Sequence, residues 1–497
     1  MLLGLTSFDD KTYKMISTLL WIFGLSTLFL SVTMLIPALV SFSYDEVSVA
    51  LSFIFSSCLG LFSGVALLLA SQGNKYNYNA KVIIIITIFI WPILGLFSSL
   101  PFLFSENLLS FTNAFFESMS GITSSGASVI IDISNAPKGI LLWRSLLQWV
   151  GGFITILLAI SVLSLMRIGG MDLFHSSLQK SDRDTALHRF IQASKSLWWV
   201  YLVLTIVCSF FLIAFGMSPF DSVIHALSTI STGGFSSKTQ GINEFSNIHI
   251  ELIICIFMLA GSLNFTLYWA VANAKWNELI IEGELRYLFG IIFLYLVIIF
   301  FILYSYTDNN ISGVFRSSLF NTISSISTTG YYLNTVDYDN FIPVIYILFF
   351  SLMLIGGASV STSGGVKQLR LIVFFKLTFS ELFKLTHPNA VHPISYMNKT
   401  IDESSLRRTW GFLMTFISIF VIISILFTFF GLNFIDSLSL TVLSLTNSGA
   451  GAELLYLSQK YYEMDNIIKW IIIVTQVLGR VEIMLLLIFL SPSFWRN

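Results

Sequence analysis

Thr123-Ser-Ser-Gly126, Ser231-Thr-Gly-Gly234, Ser327-Thr-Thr-Gly330 and Thr446-Asn-Ser-Gly449 are four versions of one short phrase, each set between long apolar segments. A phenylalanine precedes each closing glycine by 14 or 15 residues, at Phe111, Phe220, Phe315 and Phe434. Four equivalent loops at membrane depth can converge on one axis, where their backbone carbonyls replace the water shell of an ion. The sequence therefore predicts a cation pore built from four unequal quarters of one chain.

The composition is typical of a polytopic membrane protein. Of the 497 residues, 55% are hydrophobic and only 11% are charged, against about 25% charged residues in soluble domains. A net charge of −1 argues against a nucleic-acid partner. The three cysteines lie in apolar runs without the spacing of a metal site or a disulfide framework. We expect an all-α fold embedded in membrane lipid.

Ten apolar segments are long enough to cross a bilayer, which takes about 20 residues. They are 15–42, 47–71, 81–103, 138–165, 191–216, 248–273, 286–306, 341–375, 409–430 and 464–490. Four shorter segments end at the four phrases, at 109–122, 219–230, 315–326 and 434–445. Their length fits half-helices that enter the membrane and return on the same side.

This order predicts two accessory transmembrane helices in residues 1–75 and then four repeats of span, pore helix, filter loop and span. The repeats occupy 76–170, 171–275, 276–385 and 386–497, and the third has a broken second helix. Threading ten spans from a cytoplasmic N-terminus leaves 19 of the 26 basic residues inside, as the positive-inside rule favours. Both termini are then cytoplasmic, and all four phrases lie on the outer side.

The four phrases have the chemistry of a filter for monovalent cations. Glycine permits the positive φ values that aim carbonyls inward, and the C-terminal end of each half-helix favours a cation. No carboxylate occurs in any phrase, which argues for carbonyl selection rather than a divalent site. The alternative is that such clusters are ordinary turns or small-residue packing faces. The predicted cation-binding filter residues are Thr123, Ser124, Ser125, Gly126, Ser231, Thr232, Gly233, Gly234, Ser327, Thr328, Thr329, Gly330, Thr446, Asn447, Ser448 and Gly449.

A second feature is the glycine-rich loop, residues 355–367, which interrupts the span after the third phrase. Four glycines in about ten residues do not hold a regular helix, and non-helical backbone at this depth needs protein or a water-filled cavity around it. We hypothesise an intramembrane gate, with a packing kink as the alternative. Its candidate residues are Gly356, Gly357, Ser359, Ser361, Thr362, Ser363, Gly364 and Gly365.

Arg480 lies inside the last span, where an arginine is costly and marks a functional candidate. It can pair with Glu482 or bind carbonyls of the glycine-rich loop, and it would set an electrostatic barrier to cations. A structural ion pair is the alternative. In the half-helices we expect Glu117 to act as a hydrogen-bonded brace and His225 to be a packed histidine.

Enzymatic chemistry has little support in the sequence. An integral-membrane lipid enzyme, the distant alternative, would need clustered His, Asp or Glu at the interface. The six histidines are scattered, and His387 and His392 lie five positions apart, each followed by a proline. We therefore predict no catalytic residues and no cofactor.

Several motifs resemble the membrane subunit of bacterial Trk potassium-uptake systems, in the Trk/Ktr/HKT superfamily. They include Ala114-Phe-Phe-Glu117, Trp143-Arg-Ser-Leu-Leu-Gln-Trp-Val-Gly-Gly152, Ser231-Thr-Gly-Gly-Phe-Ser236, His387-Pro-Asn-Ala-Val391, Leu478-Gly-Arg-Val-Glu-Ile483 and Ser491-Pro-Ser-Phe-Trp-Arg496. The third phrase departs from the family, with Thr329-Gly-Tyr in place of Ala-Gly-Phe, and the first has Ser-Ser where Thr-Thr is common.

The resemblance implies potassium uptake in the bacterial inner membrane through a homodimer, with cytosolic nucleotide-binding regulatory subunits docked underneath. It places the ion-coordinating carbonyls on Ser124, Ser125, Thr232, Gly233, Thr328, Thr329, Asn447 and Ser448, with K⁺ as the ion and Rb⁺ and Na⁺ as further candidates. Gly364-Gly-Val-Lys367 lacks the spacing of a phosphate loop, so nucleotide control would come from a partner. A K⁺ symporter coupled to H⁺ or Na⁺ is the alternative; proton coupling usually shows a buried acidic or histidine relay.

Overall fold

The computed structural model describes residues 10–71, 80–105, 109–166, 183–272, 283–305, 311–335, 342–387, 394–396, 399–455, 457–481 and 483–496. Nearly all regular structure in these ranges is α-helical. The exceptions are an antiparallel pair, Ser395–Tyr396 with Lys399–Thr400, and the 3₁₀ helices Gly241–Phe245 and Gly449–Ala452. The protein is an all-α membrane protein, as its composition predicts.

Within the described residues, seven helices are long and apolar enough to span a bilayer, counting as one the helices that continue each other across a single residue. They are Asp10–Thr33 with Leu35–Ser43, Val47–Ala70, Ala80–Ser98 with Leu100–Phe104, Lys138–Met166, Arg183–Ala214, Gly283–Tyr304 and Glu403–Phe429. Large apolar side chains on these helices face outward, and Phe429 and Phe62 are 80% and 77% exposed. Such side chains belong against lipid, because an aqueous surface of this kind would aggregate.

Two predicted spans are bent. Ile248–Ser262 meets Phe265–Ala272 at 95°, and Asn466–Arg480 meets Ile483–Leu490 at 105° before the final helix Pro492–Arg496. The first bend has a clear cause, since the Phe265 N–H donates to the Val360 carbonyl over 2.8 Å and Asn264 caps the new helix through the Thr266 N–H. The helix therefore breaks where it meets the glycine-rich loop.

The glycine-rich loop divides a third predicted span into Ile342–Ile355 and Gln368–Thr386. Its two ends are tied together, because the Val366 N–H donates to the Leu354 carbonyl over 2.9 Å and the Lys367 N–H donates to the Ile355 carbonyl over 3.2 Å. The residues between are thus held as a closed loop rather than an extended link.

Four short helices lie between the long ones, at Phe111–Ile122, Pro219–Ile230, Ile311–Ile326 and Phe434–Leu445. At 1.5 Å per residue, a 12-residue helix is about 18 Å long, too short to cross. In three of them the side-chain oxygen of the preceding residue, Ser110, Ser218 or Asn433, accepts from the N–H of the third helical residue, which stabilises each helix start. The third short helix begins four residues earlier than the sequence predicts.

Candidate functional site

Each of the four short helices ends in the same hydrogen-bonded turn. The second residue of each phrase has a left-handed backbone, with φ values of 47°, 49°, 56° and 52° at Ser124, Thr232, Thr328 and Asn447. Its N–H donates to the carbonyl three residues back, and the next N–H donates to the carbonyl five residues back, over 2.8–3.3 Å throughout. This is the Schellman arrangement, and non-glycine residues adopt its left-handed position only at a conformational cost.

The four loops contact one another in a closed cycle. A Cβ atom on Gly126 would lie 2.1 Å from the Gly233 oxygen, and one on Gly234 would lie 2.1 Å from the Thr329 oxygen. A Cβ atom on Gly330 would lie 2.5 Å from the Gly451 nitrogen, and one on Gly449 would lie 2.6 Å from the Ser125 Oγ. Each loop therefore abuts the next, and the fourth abuts the first. We call this arrangement the loop ring.

The fourth loop differs from the other three. Gly126, Gly234 and Gly330 have φ values of 82°, 80° and 84°, whereas Gly449 begins a 3₁₀ helix. Gly449 therefore does not use the positive φ that glycine permits and that the other three closing glycines adopt. The Ala450 N–H donates to the Ser125 carbonyl over 3.1 Å, because the 3₁₀ helix turns the chain back toward the first loop.

The side chain of Ala450 lies among the glycines of the other three loops. Its Cβ atom is 2.8, 2.5 and 3.0 Å from the positions that Cβ atoms would take on Gly126, Gly234 and Gly330. Only glycine at those three positions leaves room for this methyl group. Ala450 thus occupies the side of the loop ring where the phrases end.

The glycine-rich loop lies against the opposite side of the loop ring. The Thr232 Oγ1 donates to the Thr362 Oγ1 over 3.2 Å, and the Gly364 N–H donates to the Thr328 Oγ1 over 2.7 Å. A Cβ atom on Gly364 would lie 1.7 Å from the Thr446 oxygen. The glycine-rich loop is therefore in contact with the second, third and fourth loops together.

Arg480 connects the first loop of the ring to the glycine-rich loop. Its Nε donates to the Thr123 carbonyl over 2.5 Å and its Nη2 to the Ser124 Oγ over 2.5 Å, while its Nη1 donates to the Thr362 carbonyl over 2.9 Å. The planar guanidinium has donors fixed in the directions that such a three-way contact needs. Glu482, the alternative partner, lies outside the described residues.

A cavity of about 80 Å³ adjoins the glycine-rich loop. Ser359, Ser361, Ser363, Lys367 and Arg480 contribute to its lining. Its polar wall and its size suit several water molecules.

In each of the first three short helices, a polar side chain is hydrogen-bonded to the segment that follows the closing glycine of the phrase. It lies nine residues before the closing glycine, at Glu117, His225 and Asn321. Glu117 accepts from the Val129 N–H, His225 Nε2 is hydrogen-bonded to the Ser236 Oγ, and Asn321 accepts from the Leu333 N–H, all over 2.9–3.0 Å. Each partner lies two or three residues after the closing glycine of its phrase. The fourth helix has Leu440 at this position, and a leucine side chain cannot form this hydrogen bond.

Glu117 also forms a buried ion pair. Its Oε1 accepts from the Arg144 Nε over 2.6 Å, and both side chains are at most 1% exposed. The Arg144 guanidinium lies 4.0 Å from the centre of the Phe235 ring, so the pair joins the first loop to the segment after the second. The expected roles of Glu117 as a brace and His225 as a packed histidine agree with these contacts.

Side chains from the following helices brace the loops from outside the ring. The Gln148 amide nitrogen donates to the Gly233 carbonyl over 2.7 Å, and the Gln476 amide nitrogen donates to the Ser125 Oγ over 3.2 Å. Sequence reasoning missed both. The available signal was spacing. Each glutamine lies three residues before a glycine, Gly151 or Gly479, that packs against the end of a short helix.

The segments that follow the first and second phrases contact each other at an exposed rim of the protein. The Ser134 N–H donates to the Thr239 Oγ1, and the Thr239 N–H donates to the Ser134 Oγ, both over 3.0 Å. Hydrogen bonds from the Asn135 side chain and backbone lower the pKa of Asp132 below its usual value. The rim thus retains a carboxylate.

All sixteen predicted phrase residues are buried in the loop ring, and the eight predicted residues of the glycine-rich loop lie beside it. Within the described ranges, no three His, Cys, Asp or Glu side chains come together as a metal site. The loop ring brings backbone carbonyls and hydroxyls of the four phrases close together, and these are ligand types that suit a monovalent cation.

Comparisons with known proteins give a consistent result. A family model described as "TrkH: Cation transport protein" matches residues 48–496. The Trk system potassium uptake protein TrkH of Vibrio parahaemolyticus is 34% identical over 488 residues, which covers 96% of this chain and 98% of that protein. TrkG of Escherichia coli K12 is 31% identical over 99% of this chain and 100% of its own length. The crystal structure of the Vibrio potassium transporter TrkH superposes with a TM-score of 0.87 at 31% identity, over 97% of this chain and 99% of that one.

Proposed function

The chain belongs to the TrkH family of cation transport proteins, and on that premise we propose that it takes up potassium through a pore lined by the four loops. The observation that carries this proposal is the closed cycle of contacts in the loop ring, from Gly126 to Gly233 and round to Gly449 and Ser125. A cycle of four backbone turns encloses one axis. Carbonyls and hydroxyls around such an axis can replace the hydration shell of a monovalent ion.

The proposed architecture has two accessory helices in residues 1–75 and four pore repeats at 76–170, 171–275, 276–385 and 386–497. We assign the sixteen phrase residues to the filter, with K⁺ as the transported substrate and no cofactor in this chain. Because the phrases hold no carboxylate, selection rests on uncharged oxygens, which suit a monovalent ion better than a divalent one.

The conformation has the features of a closed pore. Carbonyls of Ser125 and Gly233, both assigned to the filter, accept hydrogen bonds from Ala450 and Gln148, and the glycine-rich loop lies across one side of the ring. We propose that this loop is the gate and that Arg480 holds it shut through Thr362. Opening would move the loop into the adjoining cavity.

Control of the gate would come from outside the chain. We propose a cytosolic nucleotide-binding regulatory subunit, a homodimeric assembly and a place in the bacterial inner membrane with both termini cytoplasmic. The positive-inside count of 19 of 26 basic residues supports this orientation. Transport, not catalysis, is the activity that relatives with these names perform.

Proton-coupled symport has less support than a gated pore. A proton relay needs a buried group that is free to exchange its proton. Glu117 is paired with Arg144, and both ring nitrogens of His225 are hydrogen-bonded, to the Asp221 carbonyl and the Ser236 Oγ. Glu117 and His225, the buried acidic and histidine side chains of the short helices, are therefore engaged in holding the structure.

The test is ion flux in liposomes that contain the purified chain alone, with K⁺, Rb⁺, Na⁺ and Li⁺ compared in wild type and in Gly234→Ala. A Cβ at position 234 would strike the Thr329 carbonyl, so we expect loss of K⁺ and Rb⁺ flux or of their preference over Na⁺. Gly290→Ala is the matched control, because a Cβ there meets nothing within 4 Å.

Flux that is absent from wild type but restored by a cytosolic subunit would also support the proposal, since the gate is then closed by default. Equal flux and selectivity in Gly234→Ala and Gly290→Ala, or no flux under any condition, would contradict it.

A further inference from the structure

Lys367, at the end of the glycine-rich loop, has an unusual backbone. Its φ is 74° and its ψ is 133°, a conformation that a residue with a side chain rarely adopts. The residues on both sides of Lys367 are hydrogen-bonded, because the Val366 N–H donates to the Leu354 carbonyl and the Gln368 N–H donates to the Gly357 carbonyl. A strained lysine held this firmly indicates that its side chain has a defined place to occupy.

The Lys367 ammonium lies among four oxygens of its own loop. The Nζ atom donates to the Ser361 carbonyl at 3.3 Å, the Ser361 Oγ at 3.2 Å, the Ser363 Oγ at 3.4 Å and, most closely, the Ser363 carbonyl. Ser361 and Ser363 are fully buried, and their hydroxyls are joined over 2.7 Å. Two residues thus supply two carbonyls and two hydroxyls to one positive charge.

These four oxygens are the ligand types that monovalent cations use in proteins. An ammonium group is a compact charge with three donors, similar in charge and in its preference for oxygen to K⁺. A carboxylate is also close, since Glu284 accepts from the Ser359 N–H over 3.2 Å and from the Ser359 Oγ, and it interacts electrostatically with Lys367. The loop therefore has a carboxylate near the charge of Lys367 in addition to the four oxygens.

We propose that Ser361 and Ser363 form a monovalent cation site within the glycine-rich loop, occupied in this conformation by the tethered ammonium of Lys367. Withdrawal of Lys367 would free the site for K⁺ or Rb⁺. The site adjoins the cavity, which Ser361, Ser363 and Lys367 all line, so an ion can reach it without crossing the loop ring. The inference rests on the proposed function and adds to it an ion site outside the four loops.

The test is thermal unfolding of the purified full chain in detergent, with KCl, RbCl or NaCl replacing N-methyl-D-glucamine chloride at constant ionic strength. Lys367→Met removes the ammonium and keeps an unbranched side chain, and Lys367→Gln replaces it if the Met variant does not fold. We expect these variants to gain a saturable stabilisation by K⁺ and Rb⁺ beyond that of wild type, about 1–3 °C near tenfold the dissociation constant. Adding Ser361→Ala and Ser363→Ala should abolish the gain.

Lys384→Met is the matched control, because Lys384 is an exposed lysine on the helix that follows the loop and is paired with Glu381. Its K⁺ response should equal that of wild type. Anomalous scattering from Rb⁺-soaked crystals gives a direct reading. A peak between Ser361 and Ser363 is expected in Lys367→Met and none in wild type.

Equal K⁺ responses in wild type and Lys367→Met, or an Rb⁺ peak at this place in wild type, would overturn the inference while leaving the filter intact. A K⁺ gain in Lys367→Met together with no K⁺ response in wild type would support the inference and count against the four-loop filter. The two proposals therefore fail separately.

Discussion

The side-chain amide of Gln148 donates to the carbonyl oxygen of Gly233 over 2.7 Å, so a helix that follows the first loop holds a carbonyl of the second. The Gln148 Oε1 in turn accepts from the Ser228 Oγ over 2.7 Å and from the Phe235 N–H over 3.3 Å. One buried amide therefore fixes both ends of the second loop and the direction of a carbonyl assigned to the filter.

Gln148→Met keeps the length of the side chain and removes these hydrogen bonds. The second loop then has two donors without partners, each costing about 1–3 kcal/mol. We expect a lower unfolding midpoint and a K⁺/Na⁺ flux ratio reduced by about twofold to tenfold, the equivalent of one hydrogen bond. Ratiometric flux in liposomes measures the effect, and Gln240→Met on the exposed rim is the control. An unchanged ratio in a folded Gln148→Met protein would show that the amide has no part in selectivity.

The short helices were predictable because their signals are local. Ser218 and Asn433 cap two helices, and a closing phrase ends each, so 219–230 and 434–445 were predicted to the residue. The third start at Ile311 was missed, since no capping residue marks Phe315 as the beginning.

Contacts across the chain were not predictable in the same way. Gln148 and Gly233 are 85 residues apart, and Arg480 and Thr123 are 357 apart. The sequence indicates that Arg480 is costly where it lies, but its partners depend on how four loops close on one another. The bend at Leu263 likewise depends on the Val360 carbonyl, which only the folded glycine-rich loop presents.

Arg480→Gln should loosen the proposed gate. The variant loses the guanidinium hydrogen bonds that join Thr123 and Ser124 to Thr362. We therefore expect a several-fold higher K⁺ flux without a partner subunit, together with a lower unfolding midpoint. Arg407→Gln is the control, because that exposed arginine pairs with Glu403 in the preceding turn of the helix and such pairs contribute about 0.3–0.5 kcal/mol. Flux at or below the wild-type level in folded Arg480→Gln would contradict the assignment of Arg480 as the link that holds the loop shut.

The buried pair of Glu117 and Arg144 should couple strongly. Removing either partner leaves an uncompensated buried charge, which costs about 3–5 kcal/mol, whereas Glu117→Gln combined with Arg144→Met removes both charges. We expect each single variant to be less stable than the double variant in denaturant or thermal unfolding. Additive effects would mean that the two side chains do not act as a pair.

Ala450 should control access to the loop ring from the side where the phrases end. Its methyl group lies among Gly126, Gly234 and Gly330, so a larger side chain must push those loops apart or close the axis. Ala450→Val adds two methyl groups beside these three glycines, and overpacking costs about 1–3 kcal/mol. Ala450→Gly removes the methyl group and leaves the Ala450 hydrogen bond to the Ser125 carbonyl possible.

We expect K⁺ flux to fall by at least about tenfold in Ala450→Val and to stay equal or rise in Ala450→Gly, measured beside Ala452→Val, which alters the same 3₁₀ helix at its last residue. A decrease in both Val variants would indicate damage to the helix as a whole. A decrease confined to position 450 would show that the loss of flux comes from enlarging the side chain among the glycines of the loop ring, not from damage to the 3₁₀ helix. Unchanged flux in Ala450→Val would place the path elsewhere and would remove the axis of the loop ring as the route for potassium.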